Sequence, residues 1–462
     1  MVFIVVADPD SRRCPNCDRL EKELQVVKAQ LSAKDARVHT LEERVTELEG
    51  YVFGRHHKPQ GPAKKPGAKP GHPGWFRPKP TAIDRVEDVT LEECPDCHEA
   101  LSMSETLEEH VQEDVVLPVP QVTLYRKRVY WCKKCKKNVM GRGSGEMPRG
   151  QIGPEAKSIA DFLRYRIKVT QRDIGKILKG LFGLSVSMGA VQGFHTQTRV
   201  LAQPLHDSLQ DQLRKEPAAY ADETGAPLNG TNGWTWLFAS RRIALYHTHP
   251  SRGGKVVQDV LGKTYDGILS TDFYSGYNRS IQAKAKQKCL EHLDRDLEKL
   301  LIKFPAGHPT FAWAKRVRDF FQEARTLYDA YWAGTLTGDQ LAQEAERFEN
   351  ELSTFIQLKA PEPDIRRLSK RLARHQNELL TFLNHPDLVS PDNNYAERLI
   401  RPCVIFRKLT GGFRSKTGTD NHNVLMSLQQ TAHLNGKDPL ALFRSILTAK
   451  PNTLSLDCCL SP

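Results

Sequence analysis

The stretch Ala218–Leu228, "AAYADETGAPL", decides how the rest of the chain is read. From Pro154 to Leu213 the apolar spacing is helical; after Pro217 the period changes, and this stretch reads as a strand reaching Asp222. Asn-Gly pairs at 229–230 and 232–233 mark turns, and "WTWLFAS" and "RIALYHTH" alternate as strands do, giving a meander. "SRGGKVVQDVLG" then reads as a helix opening at a small polar residue. "DGILSTDFYSGY" reads as a short buried strand that ends in Asp272.

Strand, strand, strand, helix, strand, with acids on the first and fourth strands, is the layout of an α/β ribonuclease-H-like core. In that core the first and fourth strands lie side by side, so Asp222 and Asp272 are expected to meet. Two acids are weak evidence, because acids often cap strand ends; a third on a later helix strengthens the reading. The residues from Cys289 to about Asn384 are strongly helical and read as an insertion, taken as about 300–384. "SPDNNYAERLIRP" (Ser390–Pro402) then predicts a helix with Ser390 as cap, Pro391 in the first turn and Pro402 as the stop. It would carry Asn393, Glu397 and Arg401 one turn apart on one face. Three close carboxylates repel unless hard cations neutralise them, and two Mg²⁺ (or Mn²⁺) ions on Asp222, Asp272 and Glu397 suit phosphoryl transfer. Arg398 and Arg401 would sit near enough to meet phosphates.

The remainder fits a chain that handles nucleic acid. At 462 residues there is room for two to four domains, and a net charge of +12 favours a polyanionic partner, with an anionic membrane surface trailing. No apolar run approaches the ~20 residues of a membrane span, and "MVFIVVADPD" is too short for a signal segment, so a cytoplasmic location is expected. Residues 18–52 carry a heptad seam that includes Leu20, Leu24, Val27, Leu31, Lys34, Val38, Leu41, Val45, Leu48 and Val52. Opposite charges flank it, as in a two-stranded coil that makes a homodimer; a lone amphipathic helix is the plainer reading. Residues 53–80 form a Pro/Gly-rich basic linker.

Six of the ten cysteines fall into CxxC pairs. Cys94/Cys97 and Cys132/Cys135 flank a strand-like stretch, Gln112–Tyr130, within 81–150, which is the spacing of a zinc ribbon with structural Zn²⁺ on four thiolates. Lys133, Lys134, Lys136 and Lys137 crowd the second knuckle and would turn it toward phosphate. Cys14/Cys17 is half a site, and Cys289, Cys403, Cys458 and Cys459 read as packing or incidental thiols. Residues 154–213 suggest a helix, a Gly turn at Phe182–Leu184 and a second helix from about Ser187. A DNA-reading helix-turn-helix and two plainly packed helices both fit this pattern.

These stretches together resemble a DDE transposase of the insertion sequence sixty-six group. The likeness is carried by "YADETGAPL", "GILSTDFYSGY", "QKCLEHLDRDL", "PDNNYAERLIRP", "GAKPGHPGW", the paired knuckles, and the tail "FRKLTGGFRSKTGTDNHNVLMSLQQTAHLNGKDPLALF". It runs from the coiled coil to about residue 447, making 217–447 the catalytic domain and leaving 448–462 as an unmatched tail. The resemblance implies a catalytic triad of Asp222, Asp272 and Glu397, and a reaction that cuts and rejoins DNA at terminal inverted repeats. Accessory proteins of the same element are implied only by the family. Asn393 and Asn394 would orient Glu397 or a water, and His292 and Arg295 are further candidates for strand contact. A regulator with an inactive core and a nuclease without strand transfer are the other readings.

Overall fold

The computed structural model of the chain describes residues 150–357, 362–450 and 453–460 without a break, and parts of 19–38 and 80–147. Cys14, Cys17, Cys94 and nearly all of the linker lie outside the described residues. The chain divides into two compact units, 1–114 and 115–462. In the first, the described residues between 19 and 38 are helical, and Leu24, Val27, Leu31 and Val38 of the expected seam are each more than half exposed.

The first strands of the second unit form a hairpin, β1 (Val129–Cys132) and β2 (Lys137–Met140), paired antiparallel with Cys132 opposite Lys137. Among the described residues of the strand expected over 112–130, only the last two lie in a strand. Val119, Val122 and Leu124 are exposed, and among the described residues no strand pairs with 118–128. Alternation makes a strand only where a neighbour takes its backbone groups and covers one face.

Three helices follow: α1 (Pro154–Asp161), continued by a π-helical stretch (Phe162–Ile167), α2 (Gln171–Phe182) and α3 (Met188–Leu213). The Thr170 hydroxyl caps α2 by accepting the Asp173 amide, and Gly183 closes it at φ 67°, where a side chain would be strained. Ser187 caps α3 in the same way through the Ala190 amide. Ala160, Ile174, Leu178, Val191 and Phe194 make a small core of their own among these helices.

The main core surrounds a five-stranded sheet built from β3 (Ala218–Gly225), β4 (Trp234–Ala239), β5 (Ala244–His249), β6 (Thr264–Thr271) and β7 (Gln282–Lys288). The spatial order is β5-β4-β3-β6-β7. The first three strands form the expected antiparallel meander, whereas β3–β6 and β6–β7 are parallel. A parallel neighbour cannot follow through a tight turn, so the chain crosses over through the short helix α4 (Lys255–Leu261) before laying β6 against β3. Five helices, α5 (Leu290–Lys303), α6 (Pro309–Trp332), α7 (Gly338–Gln357), α8 (Pro363–Arg374) and α9 (Thr381–Asn384), fill the interval after β7. Helix α10 (Asn394–Thr410) then packs on β3 and β4, α11 (Lys416–Leu434) on β5 and α3, and α12 (Pro439–Thr448) on α1. In the unmatched tail, Cys459 and Leu460 are buried in the main core.

Helix α10 departs from its expected ends. Ser390 does not cap it; its hydroxyl donates to the Asp392 carbonyl, and the helix begins at Asn394 with Asn393 in the cap position. Pro402 does not stop it either. The helix runs on to Thr410 and ends at Gly411, φ 74°. Proline removes one amide and pushes against the carbonyl a turn earlier, and in this region the Tyr246 hydroxyl donates to the Leu399 carbonyl at 2.6 Å.

Gly267 lies where β6 shifts register between Tyr265 and Ile268. A Cβ there would stand 2.7 Å from the carbonyl oxygens of Glu216 and Pro217, which are backbone atoms that cannot swing aside. Gly267→Ala is expected to lower stability by about 1–3 kcal/mol, read as a reduced midpoint in urea unfolding; an unchanged midpoint would contradict this packing.

Candidate functional site

The β3–β6 register pairs Ala218 with Ile268 and Tyr220 with Ser270. Extended two residues, it sets Asp222 level with Asp272. Beyond Tyr220 no further β3–β6 pair forms, although β3 still pairs with β4 through Asp222↔Leu237. The β3–β6 pairing thus ends just before the level of Asp222 and Asp272, where β6 itself ends. Helix α10 is fixed to β3 and to the end of β4 near this level. The Asn393 side-chain amide donates to the Ala221 carbonyl at 2.9 Å, and the Tyr395 hydroxyl donates to the Ser240 carbonyl at 2.9 Å. The Arg407 guanidinium donates to the Gly225 carbonyl. Glu397 lies in the first turn, its amide bonded to the Asn393 carbonyl at 3.1 Å.

The electrostatics of Asp222 register this convergence. Burial, first of all, and then the neighbouring Glu223 carboxylate push its carboxyl up to about 7, with Asp272 and Glu397 adding to the rise. The Glu223 amide, 2.9 Å from Asp222 Oδ1, pulls the other way. Asp272 Oδ1 accepts the Tyr274 amide at 2.8 Å. Asp222 thus feels the charge of the other two acids singled out in the sequence, Asp272 and Glu397.

Several neighbours were not anticipated. Glu223 is almost wholly buried and accepts two bonds from Arg252, at 2.7 and 3.0 Å, and one from the Tyr277 hydroxyl. Burial still raises its carboxyl, against those partners. Arg252 also lies over the Tyr274 ring, 4.0 Å from its centre. Lys288 is fully buried and donates to Thr271 Oγ1 at 2.9 Å and to the Asp272 carbonyl at 3.0 Å; burial brings its ammonium down to about 8. Cys289 is fully buried as a packing thiol is, yet it belongs to this site: its sulfur accepts the Asn393 amide at 3.2 Å. The sequence held no local signal for these contacts, because the Arg252–Glu223 and Cys289–Asn393 partners are far apart in the chain.

Of the other expected residues, His292 is half-buried and its Nδ1 is shielded from solvent without a hydrogen-bond partner. Arg295, Arg398 and Arg401 are exposed. The Asn394 amide bonds to Asp392 Oδ1 at 3.0 Å. On the hairpin, Lys133, Lys134, Lys136 and Lys137 are all exposed. The Cys135 amide reaches Cys132 Sγ at 3.4 Å and, with the Lys134 amide, lowers that thiol. Cys97 is an exposed free thiol in the other unit.

A raised carboxyl binds its proton more tightly in the folded chain, so its contribution to stability is full below the ordinary carboxylate value and is lost as the pH rises through about 7. Metal-free Asp222→Asn is therefore expected to be more stable than wild type at pH 8, on the order of 2–4 kcal/mol, with the difference vanishing toward pH 4. Thermal unfolding across that range checks this; a pH-independent difference would contradict it.

Among the described residues no helix is long and apolar enough to cross a membrane. A family model described as "Transposase IS66 family" matches residues 149–421. The chain is similar to "Uncharacterized protein y4qI" of Sinorhizobium fredii (strain NBRC 101917 / NGR234), 26% identical over 284 residues, 53% of this chain and 50% of that protein. It is also similar to "Uncharacterized protein y4jD" of the same strain, 20% identical over 292 residues, 58% of this chain and 56% of the other. The chain thus spans about half the length of these curated relatives. Because the family match covers more than half of the chain and takes in Asp222, Asp272 and Glu397, the chain belongs to the IS66 transposase family.

Proposed function

We propose that the protein is a DDE transposase with a ribonuclease-H-like core, which binds the terminal inverted repeats of its insertion sequence, cleaves one strand at each end and transfers it to target DNA. The observation that carries this reading is the β3–β6 register, which sets Asp222 level with Asp272, together with the charge of Asp272 and Glu397 felt at Asp222. Carboxylates that raise one another in this way fit a pair of hard divalent cations, Mg²⁺ or Mn²⁺. Bound there, such ions would neutralise the acids and act as Lewis acids toward the scissile phosphate. The protein's own part is positioning. Asn393 and the sheet hold Glu397 toward the aspartates, Asn394 lies beside it at the helix start, and Arg398 and Arg401 offer charge to the DNA backbone from exposed positions. Arg295 does the same from α5.

DNA recognition falls to the parts before the core. The Cys132–Cys135 turn suits one half of a structural Zn²⁺ ribbon: backbone amides directed at a thiol favour the thiolate that zinc requires. Cys94 and Cys97 would supply the other half. The lysines of that knuckle, the basic linker and the α2–α3 pair, acting as a helix-turn-helix, would add phosphate and base contacts. The exposed seam of Leu24, Val27, Leu31 and Val38 supports a coiled-coil homodimer, which suits a reaction that must hold two ends together. Accessory proteins of the element and a cytoplasmic location complete the proposal.

Asp272→Asn and Glu397→Gln are expected to lower end cleavage and strand transfer by about a hundredfold or more while leaving DNA binding intact. Retained strand transfer by Asp272→Asn would sink the triad assignment. A wild type that binds ends but nicks none with Mg²⁺ or Mn²⁺ would favour the regulator reading, and nicking without joining the nuclease reading.

Purified protein is expected to hold about one tightly bound zinc per chain that is lost in Cys132→Ser, with weakened DNA binding. Metal-free protein that binds DNA as tightly would rule the ribbon out.

A further inference from the structure

A second set of metal-binding atoms stands against the three acids. Ligand atoms of Cys289, His292 and Glu397 lie within 4.8 Å of one another. Cys289 follows β7 in the cap position of α5, and His292 is in the first turn of that helix. The start of α5 is tied to the chain leading into α10. The Leu290 amide donates to the Pro391 carbonyl at 2.9 Å, the Asn393 amide to Cys289 Sγ at 3.2 Å, and the Cys289 amide to the Thr271 carbonyl at 2.9 Å. The three side chains are thus held together by backbone, not by chance rotamers on a mobile surface.

The chemistry of this set differs from that of the aspartates. A thiol sulfur, an imidazole nitrogen and one carboxylate oxygen select borderline-soft ions such as Zn²⁺ and give Mg²⁺ little to hold. Three protein ligands leave a fourth tetrahedral position open. Among the described residues His292 Nδ1 is shut away from solvent with no hydrogen-bond partner, and an unsatisfied buried group of this kind is costly to the fold. An ion in need of a lone pair, or a ligand that fixes the ring through its other nitrogen, would change that balance.

We propose that Cys289, His292 and Glu397 form a binding site for a Zn²⁺-class ion, and that its occupation draws Glu397 away from Asp222 and Asp272 and so switches strand cleavage off. Glu397 is the shared member, claimed by an oxygen-only set on one side and a sulfur–nitrogen set on the other. The switching half rests on the function proposed above; the binding half rests on the geometry alone.

The test uses the full chain as purified, with its resident zinc, titrated with Co²⁺ as a spectroscopic stand-in. Wild type is expected to take up one further equivalent with thiolate-to-cobalt charge-transfer absorption. Cys289→Ser, which keeps an acceptor for the Asn393 amide, should lose that band, and His292→Ala should weaken uptake at least about tenfold. His292→Gln serves as a second variant should either fail to fold. Asp222→Asn should still bind the cobalt. In end cleavage by wild type, added Zn²⁺ should inhibit competitively with Mg²⁺. Equal uptake and identical spectra in wild type and Cys289→Ser would overturn the site. Thiolate-bound cobalt with no competition between Zn²⁺ and Mg²⁺ would overturn the switch. A wild type that never cleaves DNA would instead count against the transposase reading, while leaving the cobalt result to stand or fall by itself.

Discussion

The architecture depends on β3 being paired in two senses at once, antiparallel to β4 and parallel to β6. The antiparallel side can be built by turns, but the parallel side demands a crossover. This strand, held on both edges, is also buried over Ala218–Ala221, where three alanines leave room for Tyr220, whose hydroxyl finds the Leu388 carbonyl. The two partners release β3 at different points. Pairing with β6 ends at Tyr220, whereas pairing with β4 continues to Gly225. Asp222 falls in that interval, where the backbone is still fixed on one side and open on the other. A rigid strand with a free flank is what a positioned carboxylate needs.

Two adjacent acids on that strand show how the fold separates a structural charge from a functional one. Glu223 is enclosed like its neighbour, but Arg252 and the Tyr277 hydroxyl satisfy it. Among the described residues Asp222 accepts only the Glu223 amide, and the charges of Asp272 and Glu397 add to its rise. Removing Asp222's charge would ease the folded chain, so stability alone does not explain an ionisable group there. Such a conflict between local comfort and global arrangement is typical of a site shaped for a ligand.

What could be read in the sequence was local. The meander, the Asn229-Gly230 turn and the α2–α3 boundary at Gly183 depend on residues close in the chain, and the structure has them where the pattern put them, whereas Asn232-Gly233 makes no turn and β3 runs past Asp222 to Gly225. Pro402 failed as a stop signal in a helix that packs on β3 and β4, strands more than 150 positions earlier in the sequence. Ser390 failed as a cap because its hydroxyl had a nearer use in its own loop. Residues 118–128 alternate without becoming a strand, for want of a pairing neighbour among the described residues. Arg252, Lys288 and Cys289 were passed over for the same reason: each gains its meaning from a partner brought in by the sheet.

Asn393 is the joint at which these levels meet. Its side-chain amide holds the strand carrying Asp222, its backbone amide holds Cys289 Sγ, and its carbonyl receives the amide of Glu397. Cys289 in turn bonds through its own amide to Thr271, the residue before Asp272. All three acids are therefore referred to one buried asparagine within a few covalent bonds. An aspartate there could not donate to the Ala221 carbonyl, and a serine is too short to replace the span of the amide. The amide run before Glu397 has a physical reason in this geometry: it sets the helix start by a bond to the sheet, and the position of the carboxylate follows.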